Sequence, residues 1–244
     1  MDNTLYVSLS RQMTLRREMD IIANNIANAD TTGFKVENLM VRTEAARPAH
    51  MADGPNPVKF VLDDGVARDF TQGSMRTTGA TFDLAIEGKG FFKVDTAEGD
   101  RFTRDGRFTL SPEGRLTTQD GDAVQGEGGE IILDPAKGQV AIAQDGTVSQ
   151  AGEKVGKVAV FLFDDRSVMA KDRGNLFKNT SNAEPNPDTA SRVRQGMLEG
   201  SNVNPILQIT RMIEVSRAYE SVVKTMENTA DLSRRAVERL GRVA

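Results

Sequence analysis

The stretch Glu199-Gly200-Ser201-Asn202-Val203-Asn204-Pro205, and the helical pattern that follows it to about Leu240, decide how this chain is organised. Asn204 is a favourable N-cap, and Pro205 suits the first helical position, where the missing N–H leaves no helical hydrogen bond unmade. No Pro or Gly then interrupts the chain until Gly241. A helix from Pro205 to Leu240 would be roughly 54 Å long.

Apolar residues along this helix advance by alternating steps of three and four, which is the a/d pattern of a coiled coil. We call this line the C-terminal seam: Met212, Val215, Tyr219, Val222, Met226, Thr229, Ser233, Ala236 and Leu240. Thr229 and Ser233 weaken its later half. A second apolar stripe, Ile206, Ile209 and Ile213, lies beside the seam in the first two turns. So long a helix with so narrow a seam cannot be buried against one small domain, and the pattern therefore predicts helical partners.

A second helix with the same spacing begins the chain, and we expect it to run from about Asn3 to Ala27 or Asn28. Ser8 and Gln12 make its first turns polar and weak. Its apolar line, the N-terminal seam, consists of Leu15, Met19, Ile22, Ile26 and Ala29. Because helices in water are stabilised mainly by packing an apolar face, the simplest arrangement pairs the two terminal helices through their seams.

The N-terminal helix ends in a run that is dense in asparagine. Asn24, Asn25 and Asn28 are more than a simple helix stop requires, so we expect these side chains to pack specifically. Gly33 suits a left-handed turn that leads out of the helix, and Phe34 is placed to anchor that exit.

Residues 34–80 are expected to form a connector with early strands. Glu37 to Ala46 could continue as helix, after which Pro48, Gly54, Pro55 and Pro57 forbid one. The run from Val58 to Leu62 predicts a short strand that ends in a turn at Asp64-Gly65.

From about residue 81 to 200 the chain is rich in short apolar runs separated by turn pairs. The pairs suit hairpin turns because Gly accepts a positive φ; they are Glu98-Gly99, Asp105-Gly106, Glu113-Gly114, Asp120-Gly121 and Asp145-Gly146. The runs 91–94, 101–103, 107–110 and 115–118 predict successive strands of a meander. The run 158–163 predicts a strand buried on both faces, and 179–190 predicts a polar loop.

The sequence therefore predicts an α+β fold. A mainly-β, antiparallel and barrel-like central domain would lie between long terminal helices that pair as a coiled coil. Residues 1–33 and 201–244 would form a discontinuous helical domain, residues 34–80 a connector, and residues 81–200 the β-rich domain.

Composition excludes several function classes. The net charge is −4 and charges of both signs are interspersed. The sequence therefore has no basic stripe of the kind that binds nucleic acid. The sequence contains no run of eighteen apolar residues, so no membrane span is predicted. The first residues lack the basic start and the apolar run of a cleaved signal peptide. The chain has no Cys and one His, His50, in a loop-like context, which leaves little for nucleophilic catalysis.

Candidate sites for chemistry are correspondingly weak. Glu87-Gly88-Lys89-Gly90 lacks the spacing of a phosphate loop, and Asp120-Gly121-Asp122 lacks the later ligands of a calcium loop. Two carboxylate pairs, Asp63-Asp64 and Asp164-Asp165, could serve a glycosidase, but adjacent acids in turns are usually solvated. We predict no catalytic residue, no metal and no cofactor.

Five motifs, in order, resemble those of the flagellar basal-body rod and hook protein family. They are residues 23–28 with 31–35, the runs 83–92 and 103–106, the run 196–204, and Met212-Ile213 with Arg217-Ala218-Tyr219-Glu220. The resemblance covers nearly the whole chain. Within the family, the length and the region from Met197 to Tyr219 favour a proximal over a distal rod component, and the length disfavours a hook component.

The resemblance implies an axial structural subunit that is exported by the flagellar type III apparatus without a cleaved signal. It implies terminal helices in an inner layer, a β domain outside it, and contacts with other rod proteins and with copies of itself, without membrane insertion. It also implies termini that fold on assembly. The predicted assembly interface comprises Leu15, Met19, Ile22, Asn24, Asn25, Ile26, Asn28, Gly33, Phe34, Asn202, Asn204, Met212, Val215, Tyr219, Val222 and Met226. A cell-wall-binding or cell-wall-cleaving β domain and a generic coiled-coil oligomer are the alternatives.

Overall fold

The computed structural model describes residues 2–43, 61–181 and 183–241. These residues divide into two compact units. The helical unit contains residues up to Ala27, Glu37–Arg68 and those from Asn204 onward, and the β unit contains Asn28–Val36 and Asp69–Val203. The backbone therefore passes from one unit to the other after Ala27, Val36, Arg68 and Val203.

Both predicted helices are confirmed. Helix α1 spans Asp2–Ala27 and helix α2 spans Pro205–Gly241. The Asn204 side-chain oxygen accepts hydrogen bonds from the backbone N–H groups of Ile206 (3.1 Å) and Leu207 (3.2 Å), so the predicted N-cap is present. The end of α1 and the start of α2 are predicted correctly because the capping residues and the apolar periodicity agree at those positions.

The helical unit also contains an antiparallel hairpin of β1 (Glu37–Thr43) and β2 (Val61–Arg68). The expectation that Glu37 to Ala46 continues as helix is therefore wrong for the residues up to Thr43. The predicted turn at Asp64-Gly65 is also wrong. Met40 pairs with Gly65 and Val41 with Asp63, so Asp64 is the extra residue of a β-bulge, and Gly65 has the positive φ (110°) that the bulge requires. Predictions for residues 44–60, including those on His50 and on Val58 to Phe60, lie outside the described residues.

The β unit contains short strands whose pairings are all antiparallel. They are β3 (Met75–Thr77), β4 (Leu84–Glu87), β5 (Phe91–Thr96), β6 (Gly99–Thr103), β7 (Thr109–Leu110), β8 (Leu116–Thr117), β9 (Ala123–Gly126), β10 (Gly129–Glu130), β11 (Val140–Ile142), β12 (Thr147–Gln150), β13 (Glu153–Lys157), β14 (Val160–Leu162), β15 (Met169–Lys171), β16 (Leu176–Asn179), β17 (Asn186–Pro187), β18 (Arg192–Gln195) and β19 (Met197–Glu199). A short 3₁₀ helix, Arg166–Val168, precedes β15.

The largest sheet has the order β15-β16-β6-β5-β9-β8-β7, with β10 on β9, β14 on β5 and β17 on β14. Smaller sheets are β11-β12-β13, β18-β4 and β19-β3. Within the described residues no sheet closes on itself, so the barrel-like prediction is wrong. β17 interrupts the predicted polar loop 179–190 because it pairs with β14.

The predicted meander is also wrong in its strand order. β5 and β6 form one hairpin and β7 and β8 another, but β6 pairs with β16 and not with β7. The physical reason lies at Gly106, whose carbonyl accepts a hydrogen bond from the Leu84 N–H (3.0 Å). A Cβ at Gly106 would lie 1.6 Å from the Leu84 oxygen, so this glycine permits close approach of two backbones and does not form a hairpin turn.

The other four turn pairs behave as predicted. Gly99, Gly114, Gly121 and Gly146 all have positive φ; Gly99 begins β6 and pairs with Thr96 of β5, and the other three each lie between two strands that pair with each other. The strong run 158–163 is less regular than predicted: only Val160–Leu162 is strand, and Phe161 and Leu162 are half-buried.

Two apolar clusters form the core of the β unit. The larger combines residues from many strands, among them Phe92, Leu116, Val148 and Val193. The smaller is aromatic, and its rings Phe70, Phe91, Phe102, Phe163 and Phe177 meet edge to face at centroid distances of 4.8–6.1 Å.

Candidate assembly interface

The two seams meet in the helical unit. Leu15, Ile22 and Val215 are buried together. Partly buried side chains surround them: Met19, Ile26, Met212, Ala218, Tyr219 and Val222. Met226 lies further along and lines a shallow groove of about 300 Å³ with Leu5, Tyr6 and Leu9. Within this unit, then, the seam residues Leu15 to Ile26 of α1 and Met212 to Val222 of α2 pack against the other helix.

Polar contacts fix the helix direction. The Gln12 amide donates to the Tyr219 hydroxyl (2.9 Å), and the Asn25 amide donates to the Gln208 side-chain oxygen (3.4 Å). Because a later residue of α1 meets an earlier residue of α2, the helices are antiparallel.

Asn25 fixes the β1 hairpin to the end of α1. Its side-chain oxygen accepts from the Glu37 N–H (2.9 Å), and its amide donates to the Glu37 carbonyl (2.7 Å). Asn25 is 1% exposed, so this bidentate contact satisfies two backbone groups that strand pairing does not. Neighbouring Asn24 is exposed. Asn28, in the β unit, accepts from the Thr31 hydroxyl (3.1 Å). The three asparagines of this run therefore have different environments.

Gly33 and Phe34 anchor the N-terminal segment of the β unit. Gly33 has φ 71°, which confirms the left-handed turn, and its N–H donates to the Glu199 carbonyl (2.8 Å). A Cβ here would lie 2.5 Å from the Asp105 nitrogen, so both conformation and space require glycine. Phe34 is buried, and the Lys171 ammonium lies 4.8 Å from its ring centroid.

Asn202 joins three segments of the β unit. Its oxygen accepts from the Val36 N–H (2.8 Å), and its amide donates to the carbonyls of Asp69 (2.8 Å) and Thr71 (3.2 Å). The chain enters and leaves the β unit at Val36, Asp69 and Val203. Asn202 therefore lies next to one of the four positions where the chain changes unit, and its side chain is hydrogen-bonded to segments beside two others.

A buried ion cluster lies beside Asn202 and consists of Lys35, Arg104 and Glu199. The Glu199 carboxylate accepts from the Lys35 ammonium (2.6 Å), from the Arg104 guanidinium (3.0 Å) and from the Gly73 N–H (2.9 Å). The side chains of Lys35 and Glu199 are 0% exposed and that of Arg104 is 1% exposed. Such a pair needs additional hydrogen bonds to offset its desolvation.

Most of those additional bonds are present, although the buried Arg104 Nε has no hydrogen-bond partner among the described residues. The Lys35 ammonium also donates to the Thr71 carbonyl (2.7 Å), and Arg104 donates to the Gly88 carbonyl (2.7 Å) and lies over the Phe91 ring. One carboxylate nevertheless faces two cations. Burial lowers the pKa of Lys35 and of Arg104, and the charge of Glu199 opposes this in both cases.

Sequence reasoning missed this cluster as a unit. Lys35, Arg104 and Glu199 each lie inside a quoted family motif, but they are up to 164 residues apart in sequence. The available signal was a charged residue inside each of three glycine-containing motifs. Nothing in a single sequence says that three such residues meet.

The candidate carboxylate pairs have local structural roles. Asp63 lies near Arg17 (3.7 Å) and Asp64 near Arg42 (3.6 Å). Asp165 caps the 3₁₀ helix by accepting from the Ser167 N–H, and hydrogen bonds from the Ser167 hydroxyl and N–H lower the pKa of that carboxyl. Asp164 accepts from the Asn186 amide. Neither helix, over its described residues, has an apolar stretch long enough to span a membrane.

Three family models match successive parts of the chain. "Flagella basal body rod protein" matches residues 5–35, "Flagellar hook protein FlgE/F/G D1 domain" matches 85–150, and "Flagellar basal body rod FlgEFG protein C-terminal" matches 194–239. The first and last of these include most of both seams.

Curated relatives match along the full length. The chain is 61% identical over 244 residues to the flagellar basal-body rod protein FlgF of Caulobacter vibrioides, which covers 100% of both chains. It is 35% identical to FlgF of Mesorhizobium japonicum, covering 99% of each chain. It is 30% identical to the rod protein FlgG of Bacillus subtilis, covering 94% of this chain and 96% of that one.

Proposed function

The chain belongs to the flagellar basal-body rod protein family, and we propose that it occupies the proximal part of the rod and assembles along the axis through its terminal helices. As a member of this family it is a structural subunit of the basal body and not an enzyme. The proximal position is supported by 61% identity to a FlgF protein, against 30% to a FlgG protein of comparable coverage. A distal position is the alternative.

The observation that carries the proposal is the helix pair. Each buried Leu, Ile or Met contributes on the order of 1.5–3 kcal/mol before conformational entropy is subtracted. Among the described residues three apolar side chains are buried in the cluster between the helices, so the pair has only a small core of its own. In the assembled rod we expect 1–33 and 201–244 to act as the axial domain, with coiled-coil packing of the seams, and 81–200 to form the outer domain after the 34–80 connector.

The same membership supports proposals on partners and location. We expect contacts with other rod proteins and with copies of this chain, export through the flagellar type III apparatus without a cleaved signal peptide, and a place in the rod where it crosses the periplasm. The predicted interface residues of the two seams, of the run Asn24–Phe34 and of Asn202 and Asn204 remain proposals for the assembled state.

The test replaces a seam residue by a charge. Ile22→Asp or Val222→Asp should abolish rod assembly and motility while hydrogen exchange of the β unit stays unchanged, because the buried charge disrupts only the helix pair. Ser221→Asp, exposed beside Val222, is the matched control and should swim normally. Normal swimming of the Ile22→Asp strain would contradict the seam assignment.

Position in the rod needs a separate measurement. Basal bodies imaged from a strain that lacks this chain should show an axis that stops near its base. An axis that extends through most of the rod before it stops would instead support the distal alternative.

A further inference from the structure

A groove in the β unit combines an apolar floor with an acidic rim. Its volume is about 420 Å³, which is larger than one side chain and within the range of ligand-binding clefts, about 300–1,000 Å³. The charged residues of its rim are Glu127, Asp145, Lys157 and Asp188. The apolar residues that line it are Val158, Ala159, Val160, Phe161, Pro187 and Val193. We call it the acidic groove, and none of these residues belongs to the predicted assembly interface.

The glycine motif at residues 87–90, which is not a phosphate loop, holds one wall of the acidic groove. A Cβ at Gly88 would lie 2.0 Å from the Ser191 hydroxyl oxygen, and a Cβ at Gly90 would lie 2.8 Å from a carboxylate oxygen of Asp188. The Asp188 N–H also donates to the Val160 carbonyl (2.8 Å) at the floor. The wall is therefore anchored before any ligand binds, which lowers the entropic cost of binding.

The rim carries more negative than positive charge. The Lys157 ammonium pairs with Glu127, so two of the three carboxylates, Asp145 and Asp188, remain. Neither of these two has an ion-pair partner in the part of the chain that the structure describes, and Lys157 and Arg104 act on them only at longer range. The groove therefore presents two negative charges that the β unit does not neutralise by direct pairing.

Hydrogen bonds keep both of these carboxylates ionised. Asp145 accepts from the Thr147 N–H (3.0 Å) and hydroxyl (2.8 Å), and these bonds lower the pKa of its carboxyl. Burial would raise the pKa of Asp188, but bonds from the Ser191 hydroxyl and from the N–H groups of Ser191 (3.0 Å) and Ala190 (2.9 Å) outweigh it, so this pKa is also lowered.

A ligand that matches the acidic groove must be both cationic and apolar. Among the described residues no group of three or more carboxylate, imidazole or thiol side chains could hold a metal ion, so a compact cation does not fit. Lys and Arg side chains combine an aliphatic stem with a cationic head, and they lay the stem on apolar surface while the head reaches polar groups. Because this chain has a net charge of −4, a partner protein of opposite charge is a better source than a second copy.

We propose that the acidic groove binds an extended segment of a partner protein that presents a Lys or Arg side chain. The stem of that side chain lies on the apolar floor between Val158 and Phe161, and its head meets the carboxylates of Asp145 and Asp188. This binding goes beyond the rod function and does not depend on it, because every residue involved lies in the β unit.

Titration of the purified full-length chain with N-acetyl-alanyl-arginyl-alanine amide tests the proposal. In amide NMR spectra the signals of Phe161, Thr189 and Ser191 should shift and saturate. The matching glutamyl peptide should leave them unchanged, and the leucyl peptide should bind more weakly because it has no charge. A higher salt concentration should weaken binding of the arginyl peptide alone, since salt screens exposed charges.

Isosteric variants test the role of the carboxylates. Asp145→Asn keeps the acceptor for the Thr147 N–H and removes one charge, so it should weaken binding of the arginyl peptide about two- to fivefold. Glu153→Gln removes the same charge from an exposed position of β13 outside the groove and should leave the affinity unchanged.

Several results would overturn the proposal. They are equal shifts with the arginyl and glutamyl peptides, shifts that do not saturate, and equal weakening by Asp145→Asn and Glu153→Gln. Groove signals that shift with the concentration of the chain alone would identify a second copy as the occupant and would also overturn it. The peptide and salt comparisons use the native chain, so they decide the outcome even if Asp145→Asn does not fold.

Discussion

The β unit and the helical unit satisfy their apolar surface in different ways. The β unit buries sixteen apolar residues in one cluster and six in another. The described part of the helical unit buries three in its cluster. Of the fourteen large apolar side chains that are exposed among residues 2–43, 61–181 and 183–241, all but Ile132 and Val155 belong to the helical unit. The β unit thus buries most of its large apolar side chains, whereas the described part of the helical unit leaves many of its own exposed, as a surface that meets partners does.

The two units can be followed separately in one molecule. The chain has no Trp and two Tyr residues, Tyr6 and Tyr219, both of which lie in the helical unit. Tyrosine fluorescence therefore reports the helical unit, and hydrogen exchange of the strand amides reports the β unit. Each prediction below changes one unit and should leave the other unchanged.

The largest effect is expected in the β unit from Glu199→Gln. Removal of this charge leaves Lys35 and Arg104 buried without a counterion, which should lower the unfolding free energy of the β unit by about 3–5 kcal/mol. This loss of unfolding free energy is measured by urea unfolding, with hydrogen exchange of the strand amides as the readout. Glu87→Gln is the matched control, because Glu87 pairs with Arg194 at the surface (2.7 Å) and should lose less than about 1 kcal/mol. Equal losses in the two variants would show that the ion cluster does not stabilise the β unit.

The next effect belongs to the helical unit. Ile22→Ala leaves a cavity in the seam cluster and should lower the stability of this unit by about 2–5 kcal/mol, measured by tyrosine fluorescence. Ile213→Ala removes a comparable side chain from the exposed stripe of Ile206, Ile209 and Ile213 and should change the stability of this unit by no more than about 0.5 kcal/mol in the free subunit. A large loss from Ile213→Ala would mean that this stripe is already buried in the free chain.

A smaller effect is expected at the start of α2. Asn204→Ala removes the acceptor for two backbone N–H groups and should cost about 1 kcal/mol. Hydrogen exchange at Ile206 and Leu207 should accelerate. Asn204→Asp keeps the acceptor and should retain protection; if it lost as much as Asn204→Ala, the cap would not be the cause.

The smallest effect is a change of slope with pH. Burial lowers the folded-state pKa of Lys35 below its ordinary value of 10.5, and Glu199 opposes that shift. Between the two pKa values the unfolded chain binds more protons, so the stability of the β unit rises with pH in that window, by at most about 1.4 kcal/mol per pH unit. Lys35→Met should lack this rise when urea unfolding is compared at pH 8 and 10. If the stability of Lys35→Met rose with pH at the same slope, the rise would have to come from titratable groups other than Lys35.

Local signals predicted local structure well. The cap at Asn204, the left-handed Gly33 and four of the five turn glycines depend on one or two neighbouring residues, and sequence displays them directly. Where the same dipeptide serves a different purpose, the prediction failed. Gly106 permits a backbone contact with Leu84, and Gly65 forms a bulge, yet both look like hairpin turns in sequence.

Pairing between residues far apart in the chain could not be predicted from the sequence. The sequence allowed a helix from Glu37 onward, but pairing with β2 and the contact of Asn25 with Glu37 make Glu37–Thr43 a strand. The order of β6 beside β16, and the meeting of Lys35 with Glu199, depend on residues far apart in the chain. The seams were found because a repeat of three and four needs no partner to be recognised.

The four places where the backbone changes unit have a mechanical consequence. Tension applied between the units is divided among several peptide connections, at residues 27–28, 36–37, 68–69 and 203–204, instead of falling on one linker. A single protease cut at any one of these positions would leave the units covalently joined. A subunit built in this way can be nicked under load and still hold its two parts together.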